Sequence, residues 1–190
     1  MKHYPKNITA ILAIVAMFFL ASCSPDEPTP TPENNQEAIT GISLSYVLLQ
    51  QNGTPTTDTT TITFDANGVA TPGILSLNIG KSYLTLITFY DHEKVLNPEI
   101  VQEGADHKIF FFPSQDGIIH YEYNDQDKNG NPIGLNGKTT ILNSGTINLN
   151  MVFRHGLNKN SSAAQGWNNS DYVQAGGEDD ANISFTLHAD

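Results

Sequence analysis

Apolar residues alternate with polar ones along several short stretches, and this two-residue period constrains the fold of the chain more than any other feature. It is present from Ile42 to Leu48, from Ile62 to Phe64, from Ile147 to Phe153 and from Ile183 to Leu187. Because successive side chains of a strand point to opposite faces of a sheet, the pattern indicates strands with one face on a core and the other in water. Asn-Gly, Asp-Gly and Pro-Gly pairs between these stretches are typical of turns.

No comparable stretch after residue 23 repeats its apolar residues with the period of a helix. About seven to nine short strands separated by turns predict an all-β fold: a two-layer antiparallel β-sandwich, immunoglobulin-like, with a small barrel as the alternative. Residues 83–90 and 109–112 are apolar on both faces. This favours central strands pressed between a sheet partner and a covering loop, and an exposed aromatic patch is the other interpretation.

The first 23 residues indicate processing rather than fold. Lys2 and Lys6 precede an apolar run from Ile8 to Leu20, whose length of about 13 residues is less than the roughly 20 that span a bilayer. The sequence LASC, which ends at Cys23, resembles the lipobox of bacterial lipoproteins. We therefore predict a cleaved signal peptide at residues 1–22, lipidation of Cys23, and attachment to a membrane through this N-terminal lipid anchor.

Composition divides the rest of the chain into a tether and one domain. Residues 23–38 are rich in Pro, Thr and acidic residues, which predicts a disordered tether, and residues 39–190 predict a single β-sandwich domain. Ser24 follows the cysteine, in place of the Asp that resembles an inner-membrane retention signal. We therefore expect the outer membrane, and leave open whether the domain faces the periplasm or the cell surface.

Charge and motif content exclude several classes of protein. Nine Lys and Arg against 20 Asp and Glu give a formal net charge of −11, whereas nucleic-acid binders need basic patches, so we expect no nucleic-acid partner. One cysteine excludes a disulfide framework and a Cys-rich zinc module. The chain has no G-x-S-x-G, H-E-x-x-H or Walker A motif. We therefore predict that it is not an enzyme.

One segment resembles the start of a calcium-binding loop. Asp125, Asp127 and Asn129, followed by Gly130, match D-x-[DN]-x-[DN]-G, in which alternate side chains direct oxygens to one ion. The twelfth position is Asn136 rather than Glu, and the flanks have the strand pattern, so an EF-hand is excluded. A calcium loop between strands stays open if another carboxylate completes the site. The alternative is a polar hairpin stabilised by Asx turns.

Histidines offer a second candidate metal site, for zinc or copper. His120 and Glu122 are two residues apart on one strand face, and His107 is the third candidate ligand. If residues 107–112 and 118–123 formed a hairpin, its register would keep His107 and His120 apart, so a site would need a third segment. The alternative is that these histidines are solvated beside acidic neighbours.

Several longer motifs resemble a family of small Bacteroidota outer-membrane lipoproteins. They are Pro98 to His107 with Phe111-Phe112, Tyr121 to Leu135, Arg154 to Lys159, and Gly176 to Asp180. The resemblance covers most of residues 39–190, and the lipobox and the acidic tether extend it to the N-terminal part of the chain. Some relatives are labelled as a type 1 periplasmic-binding fold, which requires alternating strands and helices, and the two-residue period here argues against that fold. The resemblance implies a place beside TonB-dependent receptors and supplies no ligand.

We therefore expect a lipid-anchored binding lipoprotein of the cell envelope, an accessory to TonB-dependent uptake of a metal ion or nutrient. The alternative is a structural or interaction module that binds a receptor or glycan, with at most a structural calcium ion. Convergent ligands would favour the first, and dispersed histidines with an exposed aromatic patch at Trp167 and Tyr172 the second. The polar loop at 158–171 carries the only Trp, either for function or as a latch over the core.

Overall fold

The computed structural model describes residues 38–190 of the 190-residue chain. The predicted signal peptide (1–22), Cys23 and the tether as far as residue 37 lie outside the described residues, so lipidation and the tether stay predictions. Within residues 38–190, no helix combines the length and the apolar character that crossing a bilayer requires.

Strands make up most of the described residues, which contain eleven of them. They are β1 (Gly41–Leu49), β2 (Pro55–Phe64), β3 (Ala70–Thr71), β4 (Ile74–Leu77), β5 (Ser82–Asp91), β6 (Lys94–Val95), β7 (His107–Pro113), β8 (Ile119–Tyr123), β9 (Asn136–Ile141), β10 (Gly145–His155) and β11 (Glu178–Ala189). The helices are α1 (Asn97–Gln102) and short 3₁₀ turns at Gly104–Asp106, Ser162–Ala164 and Tyr172–Ala175.

Two sheets form the predicted two-layer sandwich, so the all-β fold class is confirmed. Sheet A has seven strands in the order β3-β2-β1-β5-β9-β8, with β6 paired to β5, and sheet B has four in the order β4-β11-β10-β7. The strand number falls within the predicted range once the two-residue strands β3 and β6 are set aside. Pairing is antiparallel except between β4 and β11, which run parallel, so a purely antiparallel sandwich is wrong at that edge.

The alternating residues form the core between the sheets. Ile42, Leu44 and Tyr46 of β1 are at most 4% exposed, while the residues between them are half-buried. Across the interior, the rings of Phe89 from sheet A and Phe153 from sheet B lie 4.5 Å apart. Removing such side chains from water contributes about 1.5–3 kcal/mol each, which is why this pattern specifies the fold.

The two stretches that are apolar on both faces have different positions. β5 is a central strand of sheet A, as predicted, and its outward residue Leu86 is 37% exposed. β7 was also expected to be central but lies at the edge of sheet B. Its outer face is nevertheless buried, because the segment 156–177, here called the cover segment, packs on it. Phe110 of β7 contacts a second apolar cluster that includes Leu157, Ala163, Ala164 and Ala175.

β7 and β8 do not form the hairpin considered from the sequence, since β7 belongs to sheet B and β8 to sheet A. The free edge of β7 is bonded by other segments instead. The backbone N–H of Ile109 donates to the carbonyl of Ile133, and that of Phe111 to the carbonyl of Trp167, both at 2.8 Å. Trp167 also packs against the main core as a latch, and such coverage protects an edge strand from pairing with another chain.

Candidate binding groove

A groove of about 800 Å³ opens on the outer face of sheet A. Its floor is the outer face of β5. One wall comes from β6 and α1, and the other from the two ends of the loop between β8 and β9, residues 124–135. The lining residues are Leu86, Ile87, Thr88, Val95, Asn97, Pro98, Val101, Asp125, Gln126, Ile133, Leu135 and Asn136. Seven of these twelve are aliphatic or Pro, so the groove is mostly apolar.

Three of the eight exposed large apolar side chains of residues 38–190 line this groove. Leu86 is 37% exposed, Val95 43% and Val101 56%. Large apolar side chains that are exposed singly are ordinary, but a contiguous set rimmed by polar groups is typical of a binding surface. The groove is therefore the strongest candidate site among the described residues.

The α1 wall is held by its first turn and by one buried side chain. Pro98 lies in the first turn, where its missing N–H leaves no helical bond unmade, and Ile100 is fully buried in the core. Asn97 completes the edge of β5 at a point where β9 does not pair with it. Its Oδ1 accepts from the N–H of Phe89 at 2.9 Å, and its Nδ2 donates to the carbonyl of Ile87 at 2.7 Å.

The loop wall is held by Asp125. Its Oδ1 accepts from the backbone N–H of Gly134 at 2.7 Å, and its Oδ2 accepts from that of Asn136 at 3.0 Å. A carboxylate that bonds backbone donors nine and eleven residues away ties the start of the loop to its end. The loop therefore forms a rigid side of the groove.

Asp127 fixes the tip of the same loop. Its Oδ1 accepts from the N–H groups of Asn129 and Asn131 at 2.8 and 3.0 Å, so it forms the Asx turn that the sequence left as an alternative. Its Oδ2 accepts from the ammonium of Lys159 at 3.0 Å. That ammonium also donates to the carbonyls of Gly104 at 2.5 Å and Pro132 at 2.8 Å.

The Asp127–Lys159 pair is buried, with side chains 1% and 3% exposed. Burial alone would raise the pKa of Asp127, but bonds from the backbone of Asn131 and from Lys159 outweigh it and leave that pKa below its ordinary value. Burial lowers the pKa of Lys159, and the hydrogen bond and charge of Asp127 oppose that shift. The pair links the loop wall to the cover segment, which contains Lys159.

The predicted calcium ligands therefore lie in one loop, and the carboxylates of Asp125 and Asp127 accept hydrogen bonds from within the protein. Asp125 bonds two backbone N–H groups, Asp127 bonds two more and an ammonium, and Asn129 is exposed. Within residues 38–190, no three His, Cys, Asp or Glu side chains are grouped as metal ligands would be. Calcium binding stays a prediction, and an ion at Asp127 would be repelled by the Lys159 ammonium that already bonds Oδ2.

The predicted transition-metal ligands are divided between the sheets. His107 faces the core from sheet B, where its ring stacks 5.1 Å from that of Phe153. His120 and Glu122 are exposed on sheet A, as their spacing predicted, and Glu122 pairs with Lys138. The structure brings His120 and Glu122 to one face and leaves His107 away from them, so zinc or copper binding stays a prediction.

His107 is a buried polar residue in its own right, at 3% exposure. Its Nδ1 is 3.1 Å from the carbonyl of Glu103, and its Nε2 is buried with no hydrogen-bond partner in the structure. Burial lowers the pKa of His107, against the opposing effects of the Glu103 carbonyl and the charge of Asp180. The ring is therefore best accommodated in its neutral form.

The exposed aromatic patch that would favour the interaction-module alternative is not formed, because Trp167 and Tyr172 are half-buried. Trp167 packs on the core, and the ring of Tyr172 lies 5.3 Å from that of Phe110 and 5.1 Å from that of Phe112.

The buried cations were missed by the sequence reasoning. Lys108, Arg154 and Lys159 are all at most 6% exposed. Lys108 donates to the carbonyl of Ala164 at 2.5 Å, and burial lowers its pKa to about 8. Arg154 bonds the carbonyls of Gly176 and Gly177. Lys159 lies 32 residues from Asp127, so no local spacing indicates their contact.

Comparisons with protein-family models, curated proteins and solved structures found no match for the chain. The functional interpretation therefore rests on the groove and on the sequence features described above.

Proposed function

We propose that the chain is a lipid-anchored binding protein of the cell envelope whose groove on sheet A takes the apolar body of a small ligand. The observation that carries this proposal is the groove itself, at about 800 Å³ and with a mostly apolar lining from three separate segments. Small-molecule sites typically have volumes of about 300–1,000 Å³ and apolar walls with a few polar groups.

The cargo that this geometry favours is an organic nutrient rather than a bare metal ion. Apolar side chains supply no metal ligands, and within residues 38–190 no three His, Cys, Asp or Glu side chains are grouped as metal ligands would be. The further role, as an outer-membrane accessory to a TonB-dependent receptor, is supported by the lipobox and by the family resemblance. In the interaction-module alternative the partner is a receptor or glycan and the groove is part of the contact surface. The exposed aromatic patch that would favour this alternative is not formed at Trp167 and Tyr172.

The groove can be tested with the neutral fluorescent amphiphile N-phenyl-1-naphthylamine and the soluble segment Gln36–Asp190. This segment is a compact unit, and all its core residues lie within the described part. Saturable fluorescence enhancement is expected, because the dye would leave water for an apolar groove. Leu86→Asn and Val101→Asn should each weaken binding about threefold to tenfold, since each removes apolar contact area at the site.

Val69→Asn and Val173→Asn are matched controls, because these valines are 59% and 57% exposed and do not line the groove. Thermal unfolding of each variant separates lost binding from lost folding. Absence of saturable binding by the folded wild type, or equal weakening by groove and control variants, would refute the proposed site.

Lipid anchoring has its own test in cells. Radiolabelled palmitate should enter the wild-type protein, which should sediment with membranes, and Cys23→Ser should remove the label because Cys23 is the chain's only cysteine. Ser24→Ala leaves the LASC motif and its thiol in place and serves as the control. Label that persists in the Cys23→Ser variant would contradict the predicted anchor.

A further inference from the structure

We infer that the ligand of the groove is a cationic amphiphile, with an apolar body in the groove and a positive group beside Asp125. This inference rests on the proposed function, because it names the chemical class that the same site would select. Its basis is the distribution of charge around the groove.

Asp125 lines the groove and keeps capacity to bind. Each of its oxygens accepts one backbone hydrogen bond, from Gly134 or from Asn136, whereas each oxygen of an ionised carboxylate can accept two. None of the salt bridges within residues 38–190 includes Asp125. Lys159 interacts with the charge of Asp125 from a distance without pairing with it, so the carboxylate keeps room for a direct contact with a positive ligand group.

The rest of the lining has no group that would hold an anion. No Lys, Arg or His is among the lining residues, and both polar atoms of the Asn97 amide are bonded to β5. The cation nearest in sequence to the α1 wall, Lys94, lies 2.7 Å from the carboxylate of Glu99. The net charge of −11 also favours cations over anions at the surface.

The inference can be tested by competition among three amphiphiles that share a decyl chain and differ in the charge of the head group. Decyltrimethylammonium, decyl sulfate and uncharged decyl maltoside would displace N-phenyl-1-naphthylamine from the segment Gln36–Asp190, each below its micelle concentration. The cation is expected to displace the dye at a concentration roughly tenfold lower than the anion, with the neutral compound between them. About 0.5 M NaCl should reduce this difference, because salt screens exposed charges.

Variants locate the preference at the groove. Gln126→Lys places a positive charge in the lining without removing a hydrogen bond of Asp125, and should bring the cation-to-anion ratio close to one. Asn129→Lys adds the same charge to the same loop outside the lining and should change the ratio less. Asp125→Asn should also lower the ratio, and thermal unfolding would show whether its loop remains folded.

The outcomes separate this inference from the proposed function. Equal displacement by the three heads, or strongest displacement by the neutral or anionic compound, would overturn the cationic ligand and leave the apolar site intact. Failure of the folded wild type to bind the dye at all would overturn both. If Gln126→Lys and Asn129→Lys reduce the preference for the cation equally, the preference comes from the overall charge of the protein. That result would overturn the role of Asp125.

Discussion

At the scale of single residues, the Asp127–Lys159 pair gives the sharpest stability prediction. Lys159→Met leaves the Asp127 carboxylate buried without its ammonium and should lower the free energy of unfolding by about 3–5 kcal/mol. Asp127→Asn in the same chain should recover part of that loss, because the uncompensated charge is removed. Urea unfolding of the two single variants and the double variant measures the coupling.

Lys94→Met is the control for that cycle. Lys94 and Glu99 form an exposed pair, with side chains 59% and 49% exposed, and exposed pairs contribute only about 0–1 kcal/mol. A Lys159→Met variant no less stable than Lys94→Met would contradict the structural role given to the buried pair.

His107 predicts how stability depends on pH. Burial lowers its pKa in the folded state, so below about pH 6.5 the unfolded chain binds a proton that the folded chain resists. The contribution of His107 to the free energy of unfolding should therefore fall as pH decreases from about 7.5 to 5, by up to about 1.4 kcal/mol per unit of pKa shift. His107→Phe should flatten this dependence, whatever it does to the absolute stability.

His92→Asn provides the comparison for His107, because the His92 side chain is 83% exposed and Asn tolerates its positive φ of 54°. Urea unfolding at several pH values measures both variants. A wild-type pH dependence that survives in His107→Phe and disappears in His92→Asn would contradict the assignment.

At the scale of elements, the end of the cover segment passes so close to the backbone of β10 that it requires glycine. A Cβ at Gly177 would lie 2.0 Å from the carbonyl oxygen of His155, which is backbone and cannot rotate away. Gly177→Ala should therefore destabilise the fold by more than about 3 kcal/mol. Gly166→Ala shares the left-handed backbone but meets nothing within 4 Å, so it should cost only about 1–2 kcal/mol. Equal thermal stability of the two variants would contradict this packing.

The elements also show how far the sequence determines the fold. The period of two identified β1, β10 and β11, because the burial of every second residue follows directly from the order of apolar and polar residues in these strands. It could not place β7, whose two buried faces resemble those of a central strand. What buries the outer face of β7 is the polar cover segment, and its docking depends on distant contacts such as Lys108 with Ala164, 56 residues apart.

The candidate site was predicted only in part, for a related reason. The D-x-D-x-N-G pattern correctly located a tight turn at Gly130, whose φ is 83°. It did not reveal that Lys159 supplies a cation to Asp127, since that contact joins two loops far apart in the chain. Nor did it reveal the groove, whose floor and walls come from three separate segments.

At the scale of the whole molecule, the sandwich supports the groove from behind. Two buried ammonium groups hold the cover segment in place. That of Lys108 bonds it to β7, and that of Lys159 bonds it to Gly104, just after α1, and to the loop wall. Because these cations are buried, the exposed surface carries a net negative charge. The groove is a mostly apolar site on that surface. This arrangement is what the proposed function requires: rigid walls, an apolar lining and a charge preference at the rim.

The central claim is that this groove binds the apolar part of a small ligand, and methyl-resolved NMR of the segment Gln36–Asp190 tests it most directly. During titration with N-phenyl-1-naphthylamine, saturable shift changes are expected at the methyl groups of Leu86, Val95 and Val101. Methyl groups of Val69 and Val173, outside the groove, should stay unchanged. Shift changes centred on those two valines, or no saturable change in the groove, would contradict the account.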